Sequence, residues 1–238
     1  MKLLILLLLT EICLSSCKQA KIKKEYSLPI VNHAADTIHS PTYNEVLVQI
    51  EKAKAGFLKK YEGDYHKLEI MDEIRNYWID VLGQDLYKQW ESTPWDFNGT
   101  TRVPKQGNIA CGYFVTTILL DMGYKLNRIK LSTCDAMTMM KSLTPGQRIQ
   151  NLSYLDYESF NKKIKDAGKA VYIIGLDYHT GLLINDGTET WFLHSNYINK
   201  EGVIKERISE SLALKTSGSR FTTCLTSDKN FLLRWITQ

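Results

Sequence analysis

Apolar residues recur at helical spacing through the first half of the chain and in short unbroken runs through the second. Val46, Ile50, Ala53, Phe57 and Leu58 fall three or four residues apart, which predicts a helix over 42–62. Ile70, Ile74, Tyr77, Trp78, Val81 and Leu82 predict a second helix over 68–90. Pro94, Asn98, Gly99, Pro104 and Gly107 then mark a long loop that contains Trp95 and Phe97. Helical spacing resumes at Cys111 with Phe114, Val115, Ile118, Leu119 and Met122, and Gly123 is its natural stop. A short helix capped by Ser132 or Thr133 through Leu143, and another over 155–167, complete the helical half.

After Gly168 the texture changes. Residues 170–176, 178–185 and 189–195 read as three successive strands, with a fourth over 220–226 before a short terminal helix holding Phe231 and Trp235. Helices followed by an antiparallel sheet make an α+β fold. The division is a helical part over 41–92 and a core over 93–238.

The N-terminal residues carry a different message. Lys2, the apolar run LLILLLL at 3–9 and small residues closing on Cys17 describe a secretory signal over 1–16. The apolar run is too short to cross a bilayer, which takes about 20 residues. Leu14-Ser15-Ser16-Cys17 resembles the bacterial lipobox, although Glu11 places a charge inside the segment. That resemblance implies that Cys17 is acylated, palmitate-type, and becomes the first residue of the exported protein. The expectation is therefore a cell-envelope lipoprotein, on the outer membrane in preference to the inner, with its domain in the periplasm or at the surface. Residues 17–40, basic at first and without a sustained period, read as the tether.

Composition adds limits. The hydrophobic fraction of 44% supports a sizeable core, and a net charge of +4, evenly spread, gives no argument for nucleic acid. Cys13 leaves with the signal and Cys17 takes lipid, so Cys111, Cys134 and Cys224 remain, an odd number in an oxidising compartment. A Cys134–Cys224 bridge would leave Cys111 free, but spacing alone does not establish it.

Cys111 follows a glycine-containing loop and opens an apolar-faced helix, where unpaired backbone N–H groups and the helix dipole favour thiolate. A base must reach it, and His179 at the start of the middle strand is the best one. If Asp186-Gly187 forms a two-residue turn, paired positions sum to 373 and His179 lies directly opposite His194 on one face. His194 then orients His179, with Asn196 or Asp186 as the alternatives. Cys-Gly-Tyr-Phe-Val at 111–115, His-Thr-Gly-Leu-Leu-Ile at 179–184 and Phe-Leu-His-Ser at 192–195 resemble the papain-like hydrolases of the NlpC and CHAP type. Ala110 stands where that family usually has Asp, and Gly112-Tyr113 where Ser commonly follows soon after the cysteine.

The resemblance implies Cys111 as nucleophile, His179 as base and His194 as the third member of a catalytic triad. It also implies a hydrolase cutting peptide or amide bonds, with peptidoglycan stem or cross-link peptides preferred and a protein substrate second. Gln106, upstream of the cysteine as in papain-like proteases, is the candidate oxyanion donor beside the Cys111 backbone. Trp95 and Tyr113 are candidates for the wall of a substrate groove. Neither Cys-x-x-Cys nor His-Glu-x-x-His occurs, so no metal or cofactor is expected. The competing class is a non-catalytic envelope-binding lipoprotein on the same scaffold.

Overall fold

Thr42 and Glu45 open the first helix of the computed structural model, which describes residues 40–63 and 66–238. The Thr42 N–H donates to Glu45 Oε2 at 2.7 Å and the Glu45 N–H to Thr42 Oγ1 at 3.4 Å, a reciprocal cap. The signal-like segment, Cys17 and the tether through residue 39 lie outside the described residues. Helix α1 spans Tyr43–Gly63 and α2 spans Lys67–Asp80. The periodicity that predicted one helix to residue 90 continues through a π-helical turn, Val81–Leu86, into the short α3, Tyr87–Trp90. Lys205 donates to the Gly83 carbonyl inside that wide turn.

Helix α4, Cys111–Asp121, begins at the expected residue and ends before Gly123, whose φ of +75° closes it. The helix expected from a Ser132 or Thr133 cap to Leu143 starts later, as α6 (Ala136–Leu143), and an unexpected short helix, α5 (Arg128–Ser132), precedes it. Capping explains the difference. Asn127 accepts from the Lys130 N–H, and Asp135 accepts from the Thr138 N–H at 2.9 Å. The hydroxyls of Ser132 and Thr133 donate back to the Ile129 carbonyl, so neither serves as a cap. A two-residue strand β1 (Gln150–Asn151) and helix α7 (Tyr157–Asp166), capped by Asp156, follow.

The main strands are β2 (Ala170–Gly175), β3 (Thr180–Asn185), β4 (Thr190–Asn196) and β5 (Gly202–Arg207). Helix α8 (Leu212–Thr216), strand β6 (Phe221–Cys224) and helix α9 (Lys229–Thr237) close the chain. The sheet is antiparallel in the order β1-β6-β2-β3-β4-β5. The fold is α+β, as expected, although β1, β5 and α8 had no expectation.

Both faces of the sheet are covered, which is why the central strands read as unbroken apolar runs. Val171, Ile173, Leu182, Ile184, Leu193 and Val203 face the core built from α1, α2, α4 and α9. Tyr172, Ile174, Leu183 and Phe192 face a smaller cluster with Phe160 and Ile164 of α7 and Leu214 of α8. Trp78 of α2 packs edge-on against Phe231 and Trp235 of α9, at 5.2 and 5.5 Å. The helical part expected as a separate segment thus shares one core with the sheet. Helix α4 is the central element and packs on β3 and β4, setting its first residue at one end of the sheet.

The β3–β4 register departs from the expectation. Leu182 pairs with Leu193 and Asn185 with Thr190, so paired positions sum to 375. The reason is Asp186. Its N–H donates to the Glu189 carbonyl, and its carboxylate accepts from the N–H groups of Thr188 and Glu189 and from Trp191 Nε1. Asp186 is therefore the first residue of the turn, and Gly187 (φ +94°) and Thr188 are its central pair. A shift of two preserves the face of every side chain. His179 and His194 stay on one side, but as diagonal neighbours, and continuing the pairing brings Gly181 opposite His194.

Candidate active site

The loop before Cys111 is held by its own backbone. The Ile109 N–H donates to the Pro94 carbonyl at 2.9 Å and the Ala110 N–H to that of Gly99 at 2.8 Å. Gly99 is required there, because a Cβ would lie 2.5 Å from the Ile109 nitrogen. The Ser195 hydroxyl donates to the Ile109 carbonyl at 2.7 Å, tying β4 to the approach to the helix. On the far side, a Cβ on Gly112 would lie 2.4 Å from the Ser132 carbonyl oxygen, so the first turn of α4 sits hard against α5. These contacts fix where the Cys111 thiol points.

Ala110 precedes the helix with no side-chain cap, leaving the first N–H groups of α4 open. Burial pushes the Cys111 thiol up from its ordinary range, opposed by the backbone N–H groups of Thr180, Gly112 and Cys111 itself. The expectation of a thiolate from helix position is therefore reversed by desolvation in the resting protein. The Thr180 contact also places the thiol one residue from His179 along β3.

His179 is buried just before β3, and its Nε2 lies 2.8 Å from His194 Nδ1. His194, fully buried, has its Nε2 3.0 Å from Glu206 Oε1 on β5. This chain of three sets the tautomers. An ionised carboxylate only accepts, so His194 Nε2–H donates to Glu206 and the neutral ring presents a bare Nδ1. His179 Nε2–H donates to that nitrogen, which leaves the lone pair of His179 on Nδ1. That Nδ1 is buried and has no hydrogen-bond partner. Burial, then the His194 ring, hold His179 well below the ordinary histidine range, and burial lowers His194. Burial raises Glu206, opposed by a hydrogen bond to Ser211. Phe192 stacks on His194 with ring centroids 3.9 Å apart.

Cys111 and His179 line one cavity of about 670 Å³, together with Trp95 and Tyr113. The structure thus brings together Cys111, His179, His194, Trp95 and Tyr113. Gln106 is not among the cavity's lining residues: it is exposed, in a loop where its carbonyl accepts from the Thr101 hydroxyl. The turn at Gly107 (φ +92°) carries it outward. Asn98 is among the residues that line the cavity. The alternatives for the third position are engaged elsewhere. Asp186 sits in the β3–β4 turn, and Asn196 bonds Glu201 and the Ile198 N–H. Cys134 and Cys224 are both free thiols, so the bridge between them is absent. Their sulfurs contact the carbonyls of Leu131 and Val171, and Cys134 lines the same cavity as Cys111.

Glu206, Tyr178 and Tyr197 had no place in the sequence reading. The β-branched pair Val203-Ile204 just after Gly202 was the available signal for β5. Glu206 pairs with Phe192, one step diagonal to His194. Among the described residues no helix is long and apolar enough to cross a membrane. Compared with known proteins, the chain matches no family model, no curated protein and no solved structure.

Proposed function

We propose that this chain is a thiol hydrolase of papain-like arrangement that cuts peptide or amide bonds in the cell envelope. One observation carries the reading: a buried, unpartnered His179 Nδ1, oriented through His194 and Glu206, shares a cavity with a thiol at an uncapped helix start. As Cys111 Sγ attacks the substrate carbonyl carbon, His179 Nδ1 takes the thiol proton. The Cys111 N–H and the Asn98 amide donate to the oxygen as it becomes negative. The tetrahedral adduct collapses, the carbon–nitrogen bond breaks, and His179 returns its proton to the leaving amine. Water then attacks the thioester, His179 takes a proton from that water, and the thiol is restored with release of the acid.

Thiol and imidazole rest neutral here, so ionisation accompanies attack. Peptidoglycan stem or cross-link peptides are the substrate class that the motif resemblance implies, and proteins come second. Residues 1–17 support an exported, lipid-anchored protein attached through Cys17. A second reading, a binding lipoprotein that uses the cavity without chemistry, is favoured by the raised thiol.

The full chain and its Cys111→Ala variant are incubated separately with purified peptidoglycan and with casein. Product release that Cys111→Ala abolishes supports the hydrolase. Release unaffected by the substitution removes Cys111 from the mechanism, and no release on either substrate supports the binding protein.

A further inference from the structure

The catalytic cavity is lined by aromatic rings and by neutral hydrogen-bonding groups, and none of the described residues lining it carries a formal charge. Trp95, Phe97, Tyr113, Tyr178 and Tyr197 supply the rings. Phe97 is 80% and Tyr178 96% exposed, so both hold apolar surface at the mouth. Tyr197 lies with its ring centroid 5.0 Å from that of His179, and 6.4 Å from that of Trp95.

The charged side chains behind these walls are already engaged. Arg128 stacks on Tyr113 at 4.8 Å and donates to Thr117 Oγ1 and to the carbonyls of Thr100 and Thr101. Asp96 accepts from the Asn98 N–H and Asp135 caps α6. An ionised group brought into this cavity would lose water and find no charged lining residue to pair with. The hydroxyls of Ser132 and Thr133 donate to Ile129, leaving their oxygens as acceptors toward the cavity, while Asn98 offers an amide. Neutral donors and acceptors between rings suit a peptide backbone with apolar side chains, whereas a bare alkyl chain would leave them unpaired.

We infer that the substrate is a peptide whose residues next to the scissile bond are uncharged and apolar or aromatic. This rests on the hydrolase reading and narrows it, because it excludes stem-peptide bonds flanked by free carboxylates or amines.

The test uses iodoacetyl-capped dipeptide amides, Phe-Ala, Glu-Ala and Lys-Ala, and iodoacetyl-dodecylamine, on the full chain. Cys111 Sγ displaces iodide from the methylene carbon, its proton passing to His179 or solvent. Mass mapping gives the rate at Cys111, divided by each reagent's rate on glutathione. The Phe-Ala reagent is expected to react about tenfold faster than either charged reagent on this scale. Tyr178→Glu, at an exposed wall position, is expected to raise the Lys-Ala rate and lower the Glu-Ala rate. Equal rates for the three dipeptides overturn the inference, and a dodecyl reagent faster than Phe-Ala replaces the peptide with an acyl chain. The hydrolase reading fails separately, by no product release from peptidoglycan or casein or by release that Cys111→Ala leaves unchanged, whatever the ratio among tails.

Discussion

Gly181 lies against His194 so closely that a Cβ on the glycine would sit 2.8 Å from the His194 Cβ and 2.5 Å from the Phe192 ring. The glycine of the His-Thr-Gly motif is thus space for the stacked Phe192 and His194 rings, and not conformational freedom. Gly181→Ala is expected to destabilise the fold by about 1–3 kcal/mol, the usual range for overpacking. It should also displace His194 from His179. Thermal melts and nitrogen-15 spectra of the histidine rings read the two effects. A variant with native ring spectra would show that His194 does not depend on this contact.

The Glu206 carboxylate is expected to fix the tautomers of both histidines, as a positioning residue two side chains from the thiol. Glu206→Ala leaves the buried His194 Nε2–H without its acceptor, free to move its proton to Nδ1. His179 would then carry its proton on Nδ1, and the base would be lost. Nitrogen-15 spectra of the histidine rings should show an unprotonated His179 Nδ1 in the native chain and a protonated one in the variant. A tautomer unchanged by the substitution removes Glu206 from the chain of three.

Much of this site was legible in the sequence, because its parts are local. Cys111 at a helix start follows from apolar spacing and the preceding loop, and the pairing of two histidines follows from strand parity, which survives a register shift of two. The shift itself was hidden, since it depends on how the Asp186 side chain bonds two N–H groups. Asp135 had the composition of a cap, but only the structure shows Ser132 and Thr133 spending their hydroxyls on Ile129. Burial of the Cys111 thiol is a property of α5, β3 and the 91–110 loop packed together, and one-dimensional spacing carries no trace of it. Gln106 failed for a like reason, as its backbone course is set by Gly107.

Asp121 gives a pH signature of stability. Trp90 Nε1 donates to its carboxylate at 2.8 Å, yet burial dominates and raises its pKa to about 6. The folded state therefore holds this proton more tightly than the unfolded chain between about pH 4 and 6. Its contribution to stability is full below that window and is lost as pH rises through it. Asp121→Asn keeps an acceptor for Trp90 without the charge. The native chain minus the variant should lose stability on the order of 2–3 kcal/mol from pH 4 to pH 7 in urea melts. A flat difference would falsify the shift.

Cys111 should also show its resting state through pH. Burial raises the thiol and lowers His179, so the two do not exchange a proton before substrate arrives. Alkylation by neutral iodoacetamide is then expected to rise in a single step with its midpoint above the ordinary thiol range. A thiolate–imidazolium pair would behave differently, keeping a reactive plateau down through the acidic range. Measuring the rate at Cys111 from pH 5 to 10 by mass mapping, which separates it from Cys134 in the same cavity, decides between them. A plateau with its lower limb below pH 6 would place the charge on the thiol at rest and overturn the desolvation argument. The single high step would instead mean that substrate binding, by excluding water and presenting a carbonyl to the open N–H groups of α4, is what makes ionisation favourable.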